Sequence, residues 1–219
     1  MDDSSIVKPT RYAQVGKRAF DVIAASAFTV VSLPFQAIIA LLVRRSVGSP
    51  VLFTQERPGL DGEIFSLRKF RTMSDETSSE GELLPESQRI TKLGHILRAS
   101  SLDELPELFN VIAGDMSLVG PRPLLVKYLD RYSAEQARRH AVRPGLTGLA
   151  QVSGRNGIIW EDKFALDVEY VDNLSFALDM RILARTVLTV LKREDVSAEG
   201  HATAPEFMGS DQTARPRGQ

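Results

Sequence analysis

The longest apolar block in the chain, residues 22–43, reads VIAASAFTVVSLPFQAIIALLV and carries no charge. About 20 apolar residues are enough to cross a bilayer as one helix. The flanks argue against a simple crossing. Lys8, Arg11, Lys17 and Arg18 precede the block and Arg44 and Arg45 follow it, whereas basic residues favour the cytoplasmic side. Pro34 removes a backbone donor and crowds the turn before it. Ser32 and Gln36 stand where a bend would free backbone carbonyls. Two arms of about a dozen residues, each rising about 1.5 Å per residue, cannot span a bilayer singly. The pattern predicts a re-entrant helical hairpin broken at Pro34; a bitopic helix that tolerates its proline is the alternative.

The rest of the pattern divides the chain into a polar lead (1–16), the hairpin (17–45), one domain (46–208) and a polar tail (209–219) expected to be disordered. VLFTQ and EIFSLRKFRTM read as strands around a PGLDG turn. Period-two alternation puts Phe65, Leu67, Lys69 and Arg71 on one face. An acidic, serine-rich stretch (74–88) reads as a loop. Helices are expected over 90–97, from near Ser101 to the Gly114 turn, and over 128–140, 160–173 and 180–193. GPRP (120–123) is a rigid loop, and RPGLTG (143–148) and GRNG (154–157) are turn-rich. In the last helix Ile182, Leu183, Val187, Val190 and Leu191 form a stripe suited to core or to a lipid interface. The fold class is α+β: a small, mainly helical cytosolic domain with short strands, anchored by the hairpin and by interfacial amphipathic helices.

Composition narrows the function. The 219 residues carry 27 basic and 28 acidic side chains, so general nucleic-acid binding has no support. Without cysteine, disulfides and thiolate metal sites are excluded. A signal peptide fits poorly, because the apolar run is long for one and no small-residue cleavage site follows. His95, His140 and His201 are scattered and make no metal spacing or triad.

Two groups of residues can carry chemistry. Asp103-Glu104 lies in SSLDELPELFNVI. Ser101-x-x-Glu104 scans as a capping box, and acidic residues suit a first helical turn. Two adjacent carboxylates can equally hold Mg²⁺ and supply a nucleophile. The second group is cationic: Lys69 and Arg71, Arg122 in GPRP, Arg143 in RPG and Arg155 in GRNG. Arginine forks match phosphate oxygens, so with the carboxylates these loops describe a diphosphate-and-metal site.

KRAFD, the proline-broken run, QERPGLDG, KFRTM, SLDELPELFNVIAGDMSLVGPRPLL, RPGLTGLAQVSGRN and EYVDNLSF together resemble the bacterial sugar transferases, the monotopic phosphoglycosyl transferases. The resemblance covers about residues 17–207 and looks closest to the small stand-alone members of bacterial N-glycosylation, the PglC type. It implies transfer of a phosphosugar from a UDP-sugar, an N-acetylated amino sugar by that closeness, to undecaprenyl phosphate with release of UMP. It further implies a covalent intermediate on Asp103, with Glu104 beside the Mg²⁺, and Arg18, Asp21 and Pro34 as membrane-anchoring residues. The setting implied is the cytoplasmic face of the bacterial inner membrane, with phospholipid as a partner. In this chain Leu33 separates Ser32 from Pro34, where that type has a direct Ser-Pro pair. The rival readings are a membrane-anchored scaffold, and a nucleotide-sugar pyrophosphatase that uses water as acceptor.

Overall fold

A computed structural model describes Tyr12 and residues 16–154, 159–192 and 206–209. The first element, α1 (Lys17–Ser46), is a single helix with Pro34 inside it. The expected break at Pro34 is therefore not an interruption of the helix. Among the described residues α1 alone is long and apolar enough to cross a membrane. One face is buried along its whole length, through Lys17, Asp21, Ala25, Thr29, Ser32, Gln36, Ile39 and Val43. Around the proline, Ser32 Oγ donates to Thr29 O (3.3 Å) and Gln36 Nε2 donates to Ser32 Oγ (3.0 Å). The other face, including Ile23, Val30, Val31, Phe35 and Ile38, is exposed.

A β-hairpin follows. β1 (Leu52–Pro58) and β2 (Ile64–Phe70) pair antiparallel, with Glu56 opposite Ser66 and Arg57 opposite Phe65. The 74–88 stretch folds into bends and one short bridge, Thr77 to Leu83, before a single turn, α2 (Glu86–Arg89). Next come α3 (Lys92–Ala99), capped by the Thr91 side chain, and α4 (Glu107–Ala113), ended by left-handed Gly114. β3 (Ser117–Val119) pairs in parallel with β4 (Gly145–Thr147). Between these two strands the helix expected over 128–140 is split. A 3-10 stretch (Val126–Arg131), α5 (Ala134–Ala137) with a Ser133–Gln136 capping box, and another 3-10 turn (Arg138–Ala141) replace it. The chain closes with α6 (Leu149–Ser153), α7 (Trp160–Asp172) and α8 (Phe176–Lys192).

Two apolar cores meet α1. Ala25 joins Leu67, Leu108, Val111, Met116 and Ile182 in one; Ile39 and Val43 join Phe70 and Leu97 in the other. Leu105 packs on both. The two halves of α1 thus lie against one domain. Polar contacts repeat this at the N-terminal end. Arg18 donates to Val111 O (2.6 Å) and Ile112 O (2.9 Å) among the last carbonyls of α4, Val111 O also accepting from Gly114 N (3.2 Å). Asp21 accepts from Leu118 N (3.1 Å), and buried Lys17 pairs with buried Asp179 of α8 (2.7 Å). Arg18 and Asp21, expected to anchor the membrane segment, turn inward and fasten α1 to the domain. In α8 the expected stripe divides: Ile182 is core and Leu183 packs against it, while Val187 and Val190 are exposed.

Candidate active site

The strand that carries Lys69 and the helix behind the Asp-Glu pair are joined by one buried amide. Asn110 Nδ2 donates to Ser66 O (2.8 Å), and Asn110 Oδ1 accepts from Arg68 N (3.2 Å). Edge groups of β2 that β1 leaves unpaired are satisfied in this way. Lys69, next along the strand, is thereby held against the turn between α3 and α4.

That turn is not the capped helix start that spacing suggested. Ser101 is left-handed (φ 55°) and makes no capping bond; Leu102–Glu104 is a 3-10 turn, and α4 begins only at Glu107, behind Pro106. A non-glycine residue in this region costs on the order of 1 kcal/mol or more, and such strain gathers at functional turns. The carboxylate pair is therefore not explained by capping.

Glu104 is clamped. Its Oε1 accepts from Lys69 Nζ (2.6 Å) and Arg122 Nη2 (2.5 Å). Lys69 Nζ also lies 3.0 Å from Glu107 Oε1, an ion pair without hydrogen-bond geometry. Burial alone would raise the Glu104 carboxyl, but Arg122 and Lys69 outweigh it and hold it at about 2. Asp103 differs. Its carboxyl is raised, first by burial and then by Glu104, against the opposing charges of Lys69, Arg98 and Arg122. Among the described residues no side chain donates to it. Two adjacent carboxylates are thus given unlike environments, one neutralised by cations and one poised.

The loop that aims Arg122 is fixed through its backbone. Gly120 N donates to Thr147 O (2.9 Å), and Gly145 N donates to Pro121 O (3.0 Å). A Cβ on Gly145 would stand 2.1 Å from Gly120 N, so the two loops approach this closely only as glycines. GPRP and RPGLTG are one structural unit. Arg139, buried in the 3-10 turn Arg138–Ala141 and facing Asp167 of α7, supports the same loop. Its Nη2 donates to Arg122 O (2.7 Å) and, with Nε, to Asp167 Oδ2 (2.8 and 3.0 Å).

The structure thus brings Asp103, Glu104, Lys69 and Arg122 together. Two other expected phosphate ligands stand elsewhere. Arg71 lies past the end of β2 and pairs with Asp75. Arg143 donates to Gly114 O (2.8 Å), at the C-terminus of α4. Arg155 lies outside the described residues. Sequence reading missed Glu107, Arg57, Arg98, Arg139 and Asp167. A helical register from Asp103 would have flagged Glu107, four residues on; nothing in the spacing marks the others.

Among the described residues no three acidic or histidine side chains form a metal site by themselves. Mg²⁺ needs none, since it shares one or two carboxylates with substrate phosphates and water. The Asp103 carboxylate and Glu104 Oε2, which receives no donor among the described residues, fit that role.

Glu107 gives a test of these electrostatics. Burial and Glu104 push its carboxyl up to about 7 from its ordinary 4.5. Between those values the folded chain holds a proton that the unfolded chain has released. The contribution is complete below about 4.5 and is lost as pH rises through about 7. Glu107→Gln will therefore unfold at higher denaturant than wild type at pH 8, by on the order of 1–3 kcal/mol, and the gap will narrow strongly at pH 5. An equal gap at both values would mean that Glu107 does not titrate in this window.

The profile of the bacterial sugar transferase family matches residues 12–193. A Bacillus subtilis protein described as the uncharacterized sugar transferase EpsL is 54% identical over 194 residues, covering 89% of this chain and 96% of that protein. The Caulobacter vibrioides UDP-glucose:undecaprenyl-phosphate glucose-1-phosphate transferase is 41% identical over 191 residues, 82% of this chain and 71% of its own. An Erwinia amylovora UDP-galactose-lipid carrier transferase is 39% identical over 81% of this chain, which spans 41% of that larger protein.

Proposed function

The chain belongs to the bacterial sugar transferase family, and from that premise we propose that it moves a phosphosugar from a UDP-sugar to undecaprenyl phosphate, releasing UMP, by way of Asp103. The observation that carries this reading is the unlike treatment of the two carboxylates. Glu104 is tied to Lys69 and Arg122, whereas among the described residues Asp103 has no side-chain donor, and its carboxyl is raised and more basic.

The chemistry balances in two displacements. An Asp103 carboxylate oxygen bonds to the sugar-bearing phosphorus while that phosphorus loses its bridging oxygen, whose electron pair departs on UMP. A phosphate oxygen of the lipid then bonds to the same phosphorus, the bond to Asp103 breaks, and the carboxylate is regenerated. Lys69 and Arg122 supply fixed positive charge beside the phosphoryl group throughout. Mg²⁺, held by Asp103 and Glu104, would neutralise diphosphate charge.

The sugar is open to a direct screen. The amino sugar rests on the PglC-type resemblance alone, while two relatives carry glucose and galactose in their names. UMP release will be read across UDP-glucose, UDP-galactose and UDP-N-acetylated amino sugars, with Mg²⁺ and with or without undecaprenyl phosphate. Steady turnover only with the lipid supports transfer. Steady turnover without it indicates a pyrophosphatase, and no release from any donor indicates a scaffold.

The same reading places both ends of α1 on the cytoplasmic face of the inner membrane, the helix dipping into one leaflet. Its support is the docking of both halves of α1 on one domain, through Arg18 and Asp21 at one end and Ile39 and Val43 at the other. A helix that crossed the bilayer would part its ends by about 30 Å of hydrocarbon. Because the chain lacks cysteine, Ser5→Cys and Ser210→Cys can be probed singly. Both will resist a membrane-impermeant thiol reagent in intact cells and react after lysis. Labelling of only one in intact cells would mean a crossing.

A further inference from the structure

Arg57, near the end of β1, is a cation without a carboxylate. Among the described residues no acidic side chain lies within ion-pair distance of it. Its Nη2 donates to Gln55 Oε1 (2.6 Å), its Nη1 makes one long contact to Pro123 O (3.5 Å), and its buried Nε has no partner among the described residues. Guanidinium groups stay charged in proteins, and a half-buried charge with donors to spare is costly unless an anion completes it. The guanidinium of Arg57 is made more acidic first by burial and then by the neighbouring Arg122, against the weaker opposing pull of Glu107. Lys163 adds to the same field. Its Nζ lies 4.3 Å from the Trp160 ring centre, and burial lowers its pKa, with Arg122 and Arg139 pressing the same way against Asp167.

The order of charges gives this surplus a place. Asp103 feels Lys69, Arg98 and Arg122; Arg57 feels Arg122 and contacts the residue after it. Arg122 Nη2 is bound to Glu104, the neighbour of Asp103, and Arg57 Nη1 approaches the carbonyl of Pro123, the neighbour of Arg122. Asp103 and Arg57 therefore both border Arg122, and a phosphoryl group held there has both as neighbours. Phosphoryl transfer runs with entering and leaving oxygens roughly in line. In the proposed reaction Asp103 occupies one apex in both displacements, entering in the first and leaving in the second. The departing UMP and the arriving lipid phosphate must therefore use the opposite apex in turn.

We infer that Arg57 lines a single phosphate seat, occupied first by the phosphate of the departing nucleotide and then by that of the polyprenyl acceptor. The inference rests on the two-step reading above and deepens it. Both ligands offer the same chemistry, a phosphate monoester dianion at the end of a larger group, and a guanidinium fork suits either.

The test uses full-length enzyme in lipid nanodiscs, with Arg57→Gln and Arg57→Lys beside wild type. UMP is titrated without turnover. The two half-reactions are then timed by intact mass: adduct formation from the UDP-sugar chosen by the screen, and adduct discharge by undecaprenyl phosphate. Arg57→Gln is expected to weaken UMP binding by about tenfold or more and to slow both half-reactions. Arg57→Lys, which keeps the charge and should keep the fold should glutamine disturb it, will recover part of the UMP affinity. UMP affinity within about twofold of wild type in both variants overturns the assignment. So does slow adduct formation with normal discharge, which would confine Arg57 to the nucleotide. Failure of the underlying reading has a separate sign, since wild type would then form no adduct at all.

Discussion

Asp103→Asn will abolish transfer and leave the fold in place. Asparagine matches aspartate in size, and no hydrogen bond to the Asp103 carboxylate is lost with it among the described residues. It also removes a carboxylate whose burial is unfavourable, so stability should hold or rise slightly. The amide cannot form an acyl phosphate, so activity should fall by about 10³-fold or more. The decisive measurement is intact mass after mixing enzyme, Mg²⁺ and UDP-sugar without lipid acceptor. Wild type will gain a phosphosugar that undecaprenyl phosphate removes, and Asp103→Asn will gain none. Ping-pong kinetics should accompany the adduct. Should wild type release UMP only when both substrates are bound, with no adduct trapped, Asp103 would be a metal ligand in direct transfer.

The heart of this site was legible because its residues are close in sequence or fixed by proline. Asp103 and Glu104 are adjacent, and Arg122 sits between two prolines that leave its loop little freedom. Lys69 followed from strand alternation, since β2 runs regularly to Phe70. Arg71 failed by the same rule, because the strand ends one residue before it and its side chain finds Asp75. The capping-box pattern at Ser101 pointed to a helix start that left-handed backbone forecloses. The single helix expected over 128–140 ignored the strength of the Ser133 cap, which starts a new turn there. What no local pattern carries is a partner far along the chain. Arg139 reads as one of several surface arginines until α7 brings Asp167 to it, and Arg57 reads as a turn flank until Pro123 arrives. Phe207 likewise becomes core only where Tyr128, Tyr132, Trp160 and Phe164 surround it.

The buried pair Arg139–Asp167 will show that the site depends on such a distant contact. Both side chains are almost fully enclosed, and burial pushes the Asp167 carboxyl up while Arg139 pulls it down. Removing one partner of a buried pair strands the other charge, at a cost of roughly 3–5 kcal/mol. Asp167→Asn should therefore lower the thermal midpoint clearly and reduce transfer, because Arg139 also holds the carbonyl of Arg122 at 2.7 Å. A double replacement, Arg139→Met with Asp167→Leu, separates the two effects. Apolar groups of similar volume can restore the stability of a lost buried pair, but they offer no donor to the Arg122 carbonyl. The double variant should then unfold near the wild-type midpoint while its adduct formation stays slow. Recovery of both stability and rate would mean that the pair acts through packing alone and that Arg122 keeps its aim without Arg139.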